Sequence, residues 1–206
     1  MSAKNRGSLV ITQEFYPTPL QTINSIINEI NFNKVHSFCE PCNGSGVITN
    51  AIPSNVSKYH FELSEGTDYL LPENSEQVDL ILTNPPFSLA KEFIIKARTE
   101  AKCVIMLQRV NFLGSKARKK FWEENPPTHL FVLSERPKFV ARCNNNSKVN
   151  GVKVCSNKES YQITEPRNTC TDCGKQVVPA SDATEYAWIC WDTAGIITRQ
   201  NGVYTI

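Results

Sequence analysis

Three absences bound this sequence before any motif is read. It holds no apolar run of transmembrane length, no amino-terminal stretch with the pattern of a secretion signal, and no excess of either charge. The first leaves no candidate for a membrane-spanning helix. The second points to a reducing compartment, where eight cysteines do not imply a disulfide framework. The third removes bulk charge as an argument for a nucleic-acid partner, because 22 Lys and Arg against 20 Asp and Glu leave only +2. Local clustering says more: Lys116, Arg118, Lys119 and Lys120 lie together, with Arg136, Lys138 and Arg142 beyond them, and Glu123 and Glu124 partly offset the first group. Such a run suits phosphate contacts or a solvated helix face. A chain of 206 residues allows one α/β domain with a small appended module. Strand-like runs alternate with helical patterns, which implies a mostly parallel sheet covered on both faces.

The most informative stretch is residues 79–87. Val78–Thr83 is nearly continuous in apolar residues, as a buried parallel strand requires. It stops at Asn84-Pro85-Pro86-Phe87, where two prolines remove two backbone donors and fix two φ angles. The result is a rigid tip at the carboxyl end of a strand, where open α/β sheets bind ligands. A planar group bearing an NH2 can stack on Phe87 and donate to the Asn84 side-chain oxygen and the Pro85 carbonyl. An ordinary strand-ending turn is the other reading.

Upstream, residues 35–39 read as a strand that leads into Glu40-Pro41-Cys42-Asn43-Gly44-Ser45-Gly46. Gly44 and Gly46 permit a tight strand-to-helix turn that approaches a ligand closely. Glu40 is wrong for a phosphate and right for a ligand with a cationic amine. About twenty residues on, Glu62 ends a second strand-like stretch, where nucleotide-binding folds hold ribose hydroxyls.

These residues resemble the S-adenosylmethionine-dependent amino-methyltransferases, in which an acidic-Pro-small-x-Gly-x-Gly loop precedes Asn-Pro-Pro-Phe or -Tyr. The resemblance implies a Rossmann-like α/β fold, mostly parallel with an antiparallel edge hairpin; it does not cover residues about 143–175, which read as a small Cys-rich insertion. It assigns Asn84, Pro85, Pro86 and Phe87 to catalysis. Glu40, Cys42, Gly44, Gly46, Glu62 and Asn84 go to the cofactor, as does Asp68, an acid placed to meet the adenine amine. Tyr16 and Thr18, in Tyr-x-Thr-Pro before the amphipathic stretch 20–30, would close over the methionine end; Thr18 also suits a helix cap, with Pro19 at the first helical position. Residues 103–108, 109–116, 121–122, 126–127, 130–139 and 184–191 extend the likeness to the small adenine-specific DNA methyltransferases of bacteriophages and prophages. The implied function is methylation of the N6 amine of a flipped adenine in double-stranded DNA, in the bacterial host cytoplasm if the gene is carried by a phage. Phe87, Phe139, Lys116 and Lys138 would meet the DNA. The alternatives are N4-cytosine methylation, amino-methylation of protein or RNA, and a catalytically silent DNA-binding module of the same fold.

The cysteines divide into two groups. Cys39, Cys103 and Cys190 fall on strand-like runs and read as packing residues, and packing is also the reading for Cys42. Cys143, Cys155, Cys170 and Cys173 lie in a polar, Asn-rich stretch, and Cys170-x-x-Cys173-Gly174 has the form of a metal knuckle. Four thiolates there suit a structural zinc that supplies the stability a small core cannot. A redox Cys-x-x-Cys is the competing reading. The expected organisation is one methyltransferase domain over residues 1–206, with the zinc-binding insertion at about 140–180. Lys148, Lys153, Lys158 and Arg167 would let that insertion touch DNA; otherwise it is a knob capping the sheet.

Overall fold

The computed structural model describes residues 17–143, 148–149, 152–153, 160–162, 169–170, 173–175, 178–180 and 183–206. In chain order the elements are α1 (Leu20–Ile27), β1 (Ser37–Glu40), α2 (Val47–Ala51), β2 (Ser57–His60), β3 (Val78–Thr83), α3 (Ala90–Glu100), β4 (Ala101–Arg109), α4 (Lys119–Glu124) and β5 (His129–Val132). Then come β6 (Val140–Arg142), β7 (Lys148–Val149), β8 (Val152–Lys153), β9 (Ser160–Gln162), β10 (Val178–Ala180), β11 (Tyr186–Asp192) and β12 (Gly202–Thr205).

Seven strands form the main sheet in the order β12-β5-β11-β4-β3-β1-β2. Strands β1, β2, β3 and β4 are mutually parallel, β11 runs antiparallel to both β4 and β5, and β12 pairs parallel with β5. This is the expected Rossmann-like α/β arrangement with an antiparallel hairpin toward one edge. One strand was not foreseen: β12 lies outside β5, so the β5–β11 hairpin sits one position in from the edge.

All six residues of β3 are buried, which is why the run is apolar throughout rather than alternating. Its side chains still divide between faces. Leu80 and Leu82 join Ile105 and Leu107 of β4, Trp188 of β11, and Ile23 and Ile26 of α1. Ile81 joins Val104 and Met106 of β4, Phe93 and Ile94 of α3, and Phe121 of α4. Each fully buried aliphatic side chain contributes about 1.5–3 kcal/mol, so two continuous apolar layers hold the sheet between its helices.

The amino ends of three strands are fastened by one carboxylate. Asp79 accepts from the amides of His36 (2.8 Å) and Ser37 (3.1 Å), and its other oxygen meets Lys102 Nζ at 2.7 Å. Burial acts to raise its pKa, but the Lys102 ammonium and the two amides outweigh it and hold the group at about 2.

Helix α1 begins at Leu20, with Pro19 in the cap position and no side-chain cap. The expectation that Thr18 caps the helix is therefore not met, because its hydroxyl is used elsewhere.

The stretch between β5 and β11 forms its own small sheet, β10-β6-β9, and a two-stranded ribbon, β7-β8. None of the described helices is long and apolar enough to cross a membrane.

Candidate active site

Strands β1 and β3 are parallel neighbours, with Phe38 opposite Leu80 and Cys39 opposite Ile81. From β1 the chain proceeds to β2 on one side, while β3 and β4 lie on the other. The strand order therefore reverses between β1 and β3, the place where open α/β sheets form a ligand crevice. Both sequence motifs emerge there, one from the carboxyl end of each strand.

The loop after β1 is a tight turn. Gly44 (φ 51°) and Gly46 (φ 73°) take left-handed backbone, and Gly46 N–H closes on Asn43 O at 2.7 Å. Gly46 then caps α2. Glu40, 1 % exposed, accepts from the Cys42 amide through Oε1 at 3.1 Å. Its Oε2 is buried with no hydrogen-bond partner among the described residues, and the Thr83 hydroxyl is likewise unpartnered. Burial pushes the Glu40 carboxyl up to about 8, against the Cys42 amide and the nearby Thr83 hydroxyl, while the Glu62 charge adds to the rise. A buried carboxylate with an orphaned oxygen fits a ligand that brings a positive charge. Burial also holds the half-buried Cys42 thiol well above its ordinary value, which makes it a packing group rather than a nucleophile.

Glu62 lies just past β2 and links the two loops. Oε2 accepts from Gly44 N at 2.7 Å, and Oε1 accepts from the Ser64 amide and hydroxyl at 3.1 and 2.8 Å. Partial burial acts to raise its pKa, but these bonds prevail and keep it ionised below the usual carboxylate range. Asp68 is half-buried; Oδ1 accepts from Leu70 N at 2.9 Å, which shapes the loop before β3.

Asn84 donates through Nδ2 to the Thr18 hydroxyl at 3.0 Å, joining the segment before α1 to the tip after β3. Of the side chain's two polar atoms only Oδ1 can accept. Pro85 is buried, and Pro86 leads into a helical turn over Phe87–Leu89 that runs on into α3. Phe87 is half-buried, its ring 5.8 Å from that of Tyr186, with the Arg109 guanidinium 4.8 Å from its centroid. Arg109 Nε donates to the Tyr186 hydroxyl at 3.4 Å, and Phe139 packs edge-on against Tyr186 at 5.3 Å.

Arg109 and Tyr186 are the residues whose role the sequence did not signal. Their partnership arises from the antiparallel register that sets Tyr186 opposite Arg109, and register is not readable from either segment alone.

The structure thus gathers Glu40, Cys42, Gly44, Gly46 and Glu62 into one loop cluster, sets Thr18 against Asn84, and connects Phe87 to Phe139 through Tyr186. Phe139 is 6 % exposed, so its ring serves as a support for Tyr186 rather than as an open surface. The side chains of Lys116 and Lys138 are exposed and make no hydrogen bond or ion pair among the described residues. The rest of the 116–120 basic cluster is engaged locally: Arg118 covers Phe112, Lys119 pairs with Glu123, and Lys120 with Glu124. Cys143, Cys170 and Cys173 converge, with all three Sγ atoms within 4.8 Å of one another. Cys39, Cys103 and Cys190 are buried. Tyr16, Cys155, Lys158 and Arg167 lie outside the described residues.

No protein-family model matches the chain, and no curated protein matches it in sequence. Among solved structures the chain is similar to a protein described as a putative RNA methyltransferase from Pyrococcus horikoshii, at 14 % identity and a TM-score of 0.49 over 86 % of each chain. It is also similar to a phosphoethanolamine N-methyltransferase of Haemonchus contortus solved with phosphomonomethylethanolamine and S-adenosylhomocysteine, at 10 % identity and a TM-score of 0.37. That likeness covers 52 % of this chain and 28 % of the other.

Proposed function

We propose that this chain is an S-adenosylmethionine-dependent methyltransferase acting on the exocyclic N6 amine of adenine in DNA. The observation that carries the proposal is the juxtaposition of the Gly44–Gly46 turn and the Asn84–Phe87 tip at the carboxyl ends of adjacent parallel strands. One loop presents a buried carboxylate suited to a cationic amine, and the other presents acceptors and an aromatic face suited to a planar NH2 group. The tetrapeptide's likeness to the adenine enzymes supplies the choice of base.

The bound cofactor supplies an electrophilic methyl group; every other part of the chemistry falls to the chain. Glu40 receives the positive charge of the amino-acid end, Glu62 accepts from ribose hydroxyls, and Asp68 accepts from the adenine amine. Thr18 holds Asn84 so that Oδ1 is oriented to accept. A base inside a duplex cannot reach this tip, so the target nucleotide leaves the stack. Phe87 then holds the plane of the base. Asn84 Oδ1 and the Pro85 carbonyl accept the two N–H bonds of its amine, which raises electron density on nitrogen and directs the lone pair. Positioning and electrostatics carry the reaction, with no covalent enzyme intermediate. Lys116 and Lys138 meet phosphates.

The test is transfer of labelled methyl to double-stranded DNA, RNA and protein, followed by nucleoside analysis of the product. N6-methyladenine in DNA is the expected result. Label appearing only in RNA or protein, or as N4-methylcytosine, overturns the substrate, and no transfer to any of them overturns the activity.

A further inference from the structure

The insertion between β5 and β11 carries a feature that the methyl-transfer reading does not use. Cys143 follows β6 directly, and Cys170 and Cys173 precede β10. Strands β6 and β10 pair antiparallel, with Arg142 opposite Val178, so the three cysteines gather at one end of that ladder. The Cys170–Lys175 turn is closed by two backbone bonds, Gly174 N–H to Cys170 O at 2.9 Å and Cys170 N–H to Lys175 O at 2.8 Å. Gly174 takes the left-handed backbone this turn needs, at φ 66°. The three Sγ atoms lie within 4.8 Å of one another, and Cys143 Sγ is 3.6 Å from Cys173 Sγ. Two sulfurs sharing a tetrahedral zinc at 2.3 Å sit about 3.8 Å apart, whereas a disulfide requires about 2.05 Å. The Cys143–Cys173 spacing matches the shared ion.

We infer that Cys143, Cys170 and Cys173 bind a zinc ion that clasps the end of the β6–β10 ladder farthest from the main sheet. Each thiol releases its proton to solvent as its sulfur takes the metal. Cys155, the fourth cysteine of this stretch, lies outside the described residues. The clasp has a structural consequence at the pocket. Phe139 immediately precedes β6 and packs on Tyr186, so fixing β6 fixes the support behind Phe87.

Metal analysis of the full chain purified without chelator should find close to one zinc per chain. Cys173→Ser should lower that content at least fivefold, and Cys42→Ala should leave it unchanged. Cobalt added to chelator-treated protein should give the intense charge-transfer absorption of a thiolate-bound tetrahedral ion. Removing zinc should expose new protease cleavage within residues 140–180 and leave the far-ultraviolet signature of the main sheet in place. Wild-type protein without stoichiometric zinc and without the cobalt spectrum overturns the site, as does undiminished zinc in Cys173→Ser. Zinc loss with an unchanged cleavage pattern overturns the clasp. Zinc in a chain that transfers no methyl group supports this inference and fails only the functional one.

Discussion

Replacing Glu40 by Gln separates the chemistry of the pocket from its shape. The carboxyl titrates at about 8 in the unliganded chain, so at pH 6.5 it is protonated by about 30 to 1. The amine of an amino acid is a cation at that pH, and placing it against Glu40 favours the ionised carboxylate. Binding S-adenosylmethionine should then release ~0.9 of a proton or more. Removing that proton costs about 1.4 kcal/mol for each pH unit below 8, so affinity should rise about tenfold per unit between pH 6 and pH 7.5. Gln has nearly the same shape and no proton to lose. Its affinity should be flat with pH and should fall progressively behind the wild type as pH rises. Titration calorimetry in buffers of different ionisation enthalpy reads both quantities. Stability should move the opposite way. A carboxyl raised by burial favours the unliganded fold fully below about 4.5 and loses that contribution as pH rises through about 8. Glu40→Gln should therefore melt higher than the wild type at pH 8 and close to it at pH 5. Identical proton release from both proteins would refute the assignment of the cationic end of the cofactor to Glu40.

Asn84→Ala should reduce turnover by roughly 10²-fold or more while leaving cofactor affinity within a few-fold, since its acceptor acts chiefly at the reacting amine; stopped-assay kinetics with parallel calorimetry read the split. Phe87→Ala should raise the KM for DNA and lower turnover, whereas Phe87→Tyr should retain most activity; equal loss in both would exclude stacking as the reason. Asp79→Asn should lower stability by about 1–2 kcal/mol at neutral pH, given an exposed Lys102 partner. A depressed carboxylate contributes above about 3.8 and loses its contribution as pH falls through about 2, so the denaturation midpoints of variant and wild type should converge in acid. Asp79 lies at the amino end of β3, so cofactor binding should survive that substitution.

The middle of the sheet was legible because its strands are buried on both faces: the run read as 78–83 has the bounds of β3. Strand β12 escaped notice because its four residues, Gly202–Thr205, alternate between half-buried and exposed and carry no such run. The Gly44–Gly46 turn and the Asn84–Phe87 tip were readable because Gly and Pro constrain backbone in a way that one sequence displays. Thr18 was misread as a cap because a hydroxyl before a helix has two uses, and only the tertiary fold reveals that Asn84 claims it. Glu62 was read as a ribose acceptor, but its bond to the Gly44 amide depends on how β1 and β2 align. The strands of the insertion were invisible in a polar, Asn-rich stretch, whereas its cysteine knuckle was plain.

The neck of that insertion has a bearing on how such a chain can change. Leu133 N–H bonds to Tyr186 O at 2.9 Å, and Val132 lies opposite Ala187 in the sheet. Just beyond, Arg136 and Glu185 form an ion pair. The segment therefore leaves and re-enters the fold at one clamped gate, and its length is nearly decoupled from the sheet, because closing a longer loop costs only about 0.6 kcal/mol per doubling. The segment beyond the gate can therefore vary in length at little cost to the sheet, provided that Phe139 keeps its place against Tyr186.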